Sequence, residues 1–253
     1  MRRLLPCLLA LVMLPAAALA QQPGQLPKPK NLKVFPKDIP VRALLDTMRT
    51  FTAALGVRCT YCHVEKPAVA AGERPEMDFA ADTKAEKLKA RVMLRMVSNI
   101  NNEQLAKLES RRQPPVVVSC ATCHRGVSVP RPLQQVVLMA YDSSGADSAI
   151  AAYRALRTQY YGRASYDFGD APLAEVGSAL RARQKFADAV RFYLLNTEYS
   201  PNSPFAFRAA GEGQLAAGDT VAAIASFEHA MTLNPRDQQL QRMLDSLKVK
   251  SKP

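Results

Sequence analysis

After its first twenty residues, this chain of 253 residues lacks any apolar run long enough to cross a membrane, since a spanning helix needs about 20 apolar residues in succession. It also lacks a glycine-rich phosphate-binding loop, the serine, histidine and aspartate arrangement of hydrolases, and any separate cluster of histidines. These absences exclude a protein with several membrane spans, a phosphate-loop nucleotide enzyme and a serine hydrolase. No conventional catalytic centre can be recognised.

The first twenty residues have the composition of a secretory signal peptide. Two arginines form a basic start, an apolar stretch follows, and Ala18-Leu19-Ala20 has the small-residue pattern of a cleavage site. Residues 1–20 are therefore predicted to be a signal peptide, with an uncleaved anchor as the alternative, and Cys7 is expected to leave with it. Residues 21–37 contain four prolines and are predicted to form an extended linker or arm.

Positive charge is concentrated in the first half of the chain. The whole sequence has a formal net charge of +12 at pH 7, and residues 21–133 contain 19 lysines and arginines against 10 aspartates and glutamates. Residues 134–253 contain 13 against 12. A basic surface often binds nucleic acid, but export argues against that partner, and no nucleic acid is expected. The candidates that remain are an acidic redox partner, anionic lipid head groups, or a solvated face without a partner.

Four of the five cysteines lie in two C-x-x-C-H motifs, Cys59-Thr60-Tyr61-Cys62-His63 and Cys120-Ala121-Thr122-Cys123-His124. This is the attachment pattern of a c-type haem, because cysteines three positions apart can each bond a vinyl group while the adjacent histidine reaches the iron. A thioredoxin-like pair needs a strand-helix-strand context that is absent. The 57 residues between the two pairs exceed the spacing of a zinc ribbon. The motifs predict two haems, bound covalently through Cys59 and Cys62 and through Cys120 and Cys123, with His63 and His124 as axial ligands.

Helix signals precede the motifs. Pro40 and Gly56 mark the start and the end of a first predicted helix, which runs directly into the first motif. Residues 64–82 contain two prolines and a glycine and are predicted to form a loop. Thr83 and Glu86 resemble a capping box and predict the start of a second helix.

A methionine sulfur is the donor expected at the sixth position of each iron. The remaining histidine, His229, lies far along the chain, so two histidine ligands at both irons are impossible within one chain. Met48 lies on the first predicted helix, and Met93 and Met96 lie one turn apart on the second. A thioether favours ferrous iron and raises the potential. Because methionine at helical spacing also commonly packs a core, both roles stay open.

Two segments carry a family resemblance. The first is Ala90-Arg91-Val92-Met93-Leu94-Arg95-Met96, and the second, Ser119-Cys120-Ala121-Thr122-Cys123-His124-Arg125-Gly126, contains the second motif. With the helix-then-motif layout, they make residues 31–132 resemble the cytochrome c subunit of photosynthetic reaction centres. The resemblance implies that a helix, a turn and a C-x-x-C-H bind each haem, with a helix methionine as the sixth ligand. It implies Met93, with Met96 as the alternative, at the second haem, while Met48, 11 residues before Cys59, is the methionine that the first helix offers for the first haem. Members of that family have four haem motifs, so this chain resembles a half-length, diheme relative, and a photosynthetic role does not follow.

The second half of the chain repeats with a period of 34 residues. Segments 170–203 and 204–237 align, and the matching positions are Gly177 with Gly211, Ala189 with Ala223, Tyr193 with Phe227, and Pro201 with Pro235. The pattern is typical of tetratricopeptide repeats, in which small residues let paired helices approach. Because such stacks need about three units, residues 145–160 and 238–248 are predicted to be helices that complete this one. The stack is expected to bind a partner segment or to serve as a packing or dimerisation appendage.

Together these patterns predict an all-α protein. Residues 38–133 are predicted to form a diheme cytochrome c domain, and residues 140–253 a tetratricopeptide-like domain of helical hairpins. The expected function is a periplasmic one-electron carrier between redox partner proteins, docked through the helical repeats, with peripheral membrane association as an option. A non-enzymatic role is favoured. The alternatives are a small peroxidase-like haem enzyme with one open iron site, and a haem-containing assembly or binding protein.

Overall fold

A computed structural model describes residues 28–67, 75–110 and 112–250. These ranges are mostly helical with almost no strand, which confirms the all-α prediction. The predicted signal peptide, residues 1–20, and the first part of the predicted arm lie outside the described residues. In the described ranges, no helix is both long enough and apolar enough to cross a membrane.

Helices make up most of the described residues. They are α1 Val41–Leu55, α2 Ala85–Asn99, α3 Cys120–His124, α4 Leu133–Tyr160, α5 Asp170–Ala182, α6 Phe186–Tyr199, α7 Pro204–Ala216, α8 Thr220–Leu233 and α9 Gln238–Lys250. The longest connections between them follow α1 and α2. Helix α2 continues into a π-helical turn, Ile100–Gln104, and a 3-10 turn, Leu105–Lys107. Two short antiparallel strands, β1 Val64–Glu65 and β2 Met77–Asp78, form a hairpin within the segment predicted as a loop.

Helix α1 occupies the range that the sequence predicts. It begins after Pro40, whose fixed φ suits a helix start, and it ends at Gly56 in the left-handed conformation, with φ of +65°. The N–H of Val57 donates to the carbonyl of Thr52 and completes the end of the helix. Ala54 is the buried residue of this helix, so most of its apolar side is only partly covered by protein.

The start of α2 differs from the sequence prediction. The helix begins at Ala85, after Lys84, and no side chain caps it, so Thr83 and Glu86 do not form the predicted capping box. Lys84 has an extended backbone, and its ammonium donates to the carbonyl of Thr60 in the first motif. The side chain of Lys84 therefore joins the start of α2 to the first motif.

Helix α4 begins the core of the second half. Ser144 and Gly145 interrupt its helical geometry, with φ of +77° at Gly145, so it consists of two helical segments. Leu133 and Val137 in the first segment and Tyr153 in the second are buried. They share one cluster of buried side chains with helices α5, α6 and α7, and a second cluster joins α8 and α9.

Two successive helix pairs, α5 with α6 and α7 with α8, have equivalent contacts. A Cβ atom at Gly177 would lie 2.6 Å from the ring of Tyr193, and one at Gly211 would lie 2.4 Å from the ring of Phe227. Real Cβ atoms do not approach a ring so closely, so each glycine permits the close packing of its pair. The two contacts occur at positions 34 residues apart, as the sequence alignment predicts.

Candidate haem-binding sites

The first motif follows α1 and forms a 3-10 turn, Cys59–Tyr61. The N–H groups of Cys62 and His63 both donate to the carbonyl of Cys59, at 3.3 and 3.0 Å. This turn places Cys59 and Cys62 on one side, as residues three apart on a helical turn are neighbours. Both thiols are free, with Cys59 exposed and Cys62 half-buried, and burial raises the pKa of the Cys62 thiol.

His63 is half-buried against the turn that follows β2. The ring of Phe79 meets its imidazole edge to face, with centroids 5.1 Å apart. Its Nδ1 atom is buried without a hydrogen-bond partner. Burial, and after it the positive charge of Lys87, lowers the pKa of His63. The neutral imidazole, which is the form that binds a metal, is therefore favoured.

The second motif forms helix α3 itself. The N–H of Ser119 donates to Oγ1 of Thr122 at 2.9 Å within a capping box, and Arg125 ends the helix with a left-handed φ of +49°. Both thiols are free, with Cys120 half-buried and Cys123 exposed, and burial raises the pKa of Cys120. This motif therefore has the same three-residue cysteine spacing on a helical turn as the first.

His124 is prepared to act as a metal ligand. Its Nδ1 atom lies 3.0 Å from the carbonyl oxygen of Val127. A carbonyl oxygen can only accept, so Nδ1 carries the hydrogen and Nε2 keeps its lone pair. The same bond fixes the orientation of the ring, as hydrogen bonds to metal-binding histidines commonly do.

The cysteines are not arranged as a zinc site. In the described part of the chain, no group of three or more histidine, cysteine, aspartate or glutamate side chains is placed to share a metal ion. Structural zinc needs four such ligands. Two separate C-x-x-C-H turns, each with its own histidine, fit the donor set of two covalently attached haems.

The surface around the two motifs is unusually apolar. Among the described residues from 28 to 132, the buried apolar side chains are Ala54 and Val127. Ten large apolar side chains in the same range are at least 40% exposed: Tyr61, Phe79, Leu88, Val92, Met93, Met96, Leu108, Val116, Val117 and Val129. A region of this size normally buries a core, and exposed apolar surface marks a binding site. The surface fits flat, apolar groups such as porphyrins.

The predicted methionine ligands lie on the two helices beside the motifs. Met93 and Met96 are exposed on α2, and Met48 is half-buried on α1. The hairpin adds Met77, which pairs with Glu65 two residues after the first motif. Sequence reasoning missed Met77 because it lies in the segment predicted as a loop. His229 is separate from these residues, and its ring packs 4.0 Å from that of Phe207.

The two motifs are neighbours in space. The N–H of Gly126, two residues after the second motif, donates to the carbonyl of Ala54 at 2.8 Å. A Cβ atom at Gly56, three residues before Cys59, would lie 2.1 Å from the carbonyl oxygen of Gly126. Because a residue spans at most about 3.6 Å, the backbones at Cys59 and His124 are no more than about 25 Å apart.

The second motif also contacts the second half of the chain, the helical half, which contains α4 to α9. The hydroxyl of Ser165 donates to the carbonyl of Arg125 at 2.6 Å. A cavity of about 420 Å³ lies beside this bond, with Cys123 and Arg125 on one side and Tyr166 and Glu175 on the other. The second motif therefore lies directly against the second half of the chain.

Comparison with known families gives one match. Residues 70–155 match the family model described as photosynthetic reaction centre cytochrome C subunit. The match indicates a haem-binding, electron-transfer role with c-type haem, and proteins of this kind typically face the periplasm or the exterior. Comparison with curated proteins finds no match.

The matched range covers about a third of the chain. It contains the second motif together with Met93 and Met96, and it contains neither the first motif nor Met48. It also begins and ends later than the range 31–132 expected from the sequence, and it extends into α4. The assignment of a haem to the first motif therefore rests on the C-x-x-C-H residues and their geometry.

Proposed function

We propose that this protein is a periplasmic diheme c-type cytochrome that passes single electrons between redox partner proteins. The observation that carries the proposal is the combination of two C-x-x-C-H turns with a region in which, among the described residues from 28 to 132, the buried apolar side chains are Ala54 and Val127. Two covalently held porphyrins would give this half the apolar interior that its own side chains do not form. The haem iron, when bound, supplies reversible one-electron chemistry.

Each motif has the same division of roles. Cys59 and Cys62 hold the first haem, and Cys120 and Cys123 hold the second, because their thiols share one side of a helical turn. His63 and His124 provide the proximal nitrogen. The bond from Nδ1 of His124 to Val127 supports this role, since it leaves Nε2 available and fixes the ring.

Methionine sulfur is the proposed sixth ligand at both irons. Met93, with Met96 as the alternative, is proposed for the second haem, and its exposed position on α2 leaves its sulfur accessible. Met48, on α1, is proposed for the first. Two six-coordinate irons favour electron transfer over catalysis because neither has an open position for a small substrate.

Electron exchange between the two haems is supported by the contact of the motifs. The bond from Gly126 to Ala54 and the close approach of Gly126 to Gly56 join the end of α1 to the end of α3. A porphyrin extends well beyond its cysteine side chains. Haems held by the two motifs would therefore be attached to neighbouring parts of the backbone.

The helical half is proposed to be a tetratricopeptide-like docking module. The equivalent contacts of Gly177 with Tyr193 and of Gly211 with Phe227 support this assignment. The basic composition of the first half supports an acidic redox partner or attraction to an anionic membrane surface. Residues 1–20 support export, which covalent haem attachment in bacteria requires.

The proposal is tested by counting haems in the exported protein, produced together with a haem attachment system. Intact mass should show two porphyrins. Replacing Cys59 and Cys62 by serine should leave one, and replacing Cys120 and Cys123 by serine should also leave one. The two double variants serve as controls for each other, because each retains one intact motif.

Visible spectra of the same samples test the ligands. Two low-spin irons that do not bind carbon monoxide when reduced would agree with methionine at both sixth positions. Carbon monoxide binding at one iron would support the haem enzyme with an open site. A colourless protein without added porphyrin mass would refute the proposal.

A further inference from the structure

Lys87 is the one buried charged side chain among the described residues. Its ammonium donates to three successive backbone carbonyls, those of Phe79 at 2.9 Å, Ala80 at 3.0 Å and Ala81 at 2.7 Å. It also forms an ion pair of 3.0 Å with Asp82. A buried charge is retained only when it is paired and hydrogen-bonded, and these four partners meet that requirement.

The carbonyls that bind Lys87 belong to the turn that packs against the first histidine. Phe79, the first residue of this turn, packs its ring edge to face on His63 with centroids 5.1 Å apart. Phe79 therefore lies between the two side chains. Its carbonyl accepts from the ammonium of Lys87, and its ring packs on the imidazole of His63. This geometry places a buried positive charge near His63, the proposed ligand of the first haem.

Charged side chains of both signs surround the ammonium of Lys87. Asp82 faces two cations, because Arg91 also donates to its carboxylate at 2.8 Å. The bonds from Arg91 and Asn31, and then from Lys87, hold the pKa of Asp82 well below its usual range, so this carboxylate is ionised at neutral pH. The charges of Lys87, Arg91 and Asp82 sum to +1, and the carboxylate of Asp78, which accepts from the N–H groups of Ala80 and Ala81 in the same turn, adds a second negative charge.

We propose that Lys87 raises the reduction potential of the haem at the first motif. Oxidation of a haem iron adds one positive charge, and a fixed cation nearby disfavours that state. Burial makes the effect persistent, because salt screens a buried charge much less than an exposed one. The inference rests on the proposed function, since it assigns a regulating charge to one of the proposed haems.

Two substitutions of opposite charge test the proposal by redox titration of the haem-loaded protein. Lys87→Met removes the cation and should lower one of the two midpoint potentials. Asp82→Asn removes the anion, keeps Lys87, and should raise the same potential. Lys89→Gln is the matched control, because this lysine lies on the same helix with a side chain that is 73% exposed, and it should shift neither potential measurably.

The opposite signs separate an electrostatic effect from a structural one. Disruption of the turn at Phe79 would shift the potential in the same direction in both variants, and that result would overturn the proposal. Equal shifts of both potentials, or no shift with Lys87→Met, would also overturn it. Intact mass and the low-spin spectrum, recorded on each variant, show whether both haems and their ligands are retained. A missing first haem in the unmodified protein would instead refute the proposed function.

Discussion

The contact between Gly56 and Gly126 makes Gly56→Ala an informative change. A Cβ atom at position 56 would lie 2.1 Å from the carbonyl oxygen of Gly126 and 2.9 Å from its carbonyl carbon. Both atoms belong to the backbone, so no side-chain rotation can relieve the clash. The end of α1 and the loop after α3 would have to separate by at least about 1.3 Å, from 2.1 Å to 3.4 Å, to reach an ordinary contact distance. That separation would stretch the bond from the N–H of Gly126 to Ala54.

Three effects contribute to the expected loss of stability. The left-handed conformation of residue 56 costs a residue with a Cβ atom about 1–2 kcal/mol. Weakening the bond to Ala54 costs about 1 kcal/mol. Overpacking at the contact adds about 1 kcal/mol or more. We therefore expect Gly56→Ala to lower the free energy of unfolding by about 3–4 kcal/mol.

Denaturant unfolding of the haem-loaded protein, followed by visible absorbance, measures this loss. Gly162→Ala is the matched control, because Gly162 has a comparable φ of +77° but no neighbouring atom within 4 Å of the position that a Cβ atom would take. It should lose only the conformational part, about 1–2 kcal/mol. Equal losses in the two variants would show that the contact between the motifs contributes nothing and would refute the reasoning.

Two further changes probe the helical half. Gly211→Ala should lower the free energy of unfolding by about 1–3 kcal/mol, because its Cβ would lie 2.4 Å from the ring of Phe227. Adding Phe227→Leu to this variant should recover part of the loss. Thermal unfolding measures both effects. The hydrogen bond from the N–H of Leu240, and then the charge of Arg208, lowers the pKa of Asp237. Ionised Asp237 therefore stabilises the folded state at pH values above the usual carboxyl pKa. This contribution to stability is lost as the pH falls through the lowered pKa. Asp237→Asn should therefore flatten the acid side of a stability profile, and an unchanged profile would contradict this.

Local signals predicted several elements correctly. Helix α1 begins after Pro40 and ends at Gly56, because a proline and a left-handed glycine act on their immediate neighbours. The 34-residue period predicted which glycine and which aromatic residue are equivalent in the two helix pairs, and in each pair that glycine contacts that aromatic ring. These predictions succeeded because the signals and the structures they specify lie within the same few turns of chain.

Predictions failed where distant residues compete with local ones. Thr83 and Glu86 have the pattern of a capping box, yet α2 begins at Ala85 without a side-chain cap, and Lys84 before it bonds to Thr60 in the distant first motif. The hairpin of β1 and β2 was predicted as a loop, because two-residue strands have no recognisable periodicity. The role of Lys87 was not predicted, since nothing in the local sequence distinguishes it from an exposed helix lysine such as Lys89.

The amino-acid sequence alone determined which residues are the candidates for binding haem. A C-x-x-C-H motif brings two thiols and an imidazole together within five residues, so the grouping of these side chains depends on little else. Tertiary structure alone decided that the two motifs meet through Gly56 and Gly126, and that Lys87 lies buried beside the first. Both features depend on backbone groups far apart in the chain, and only folding sets the distances between such groups.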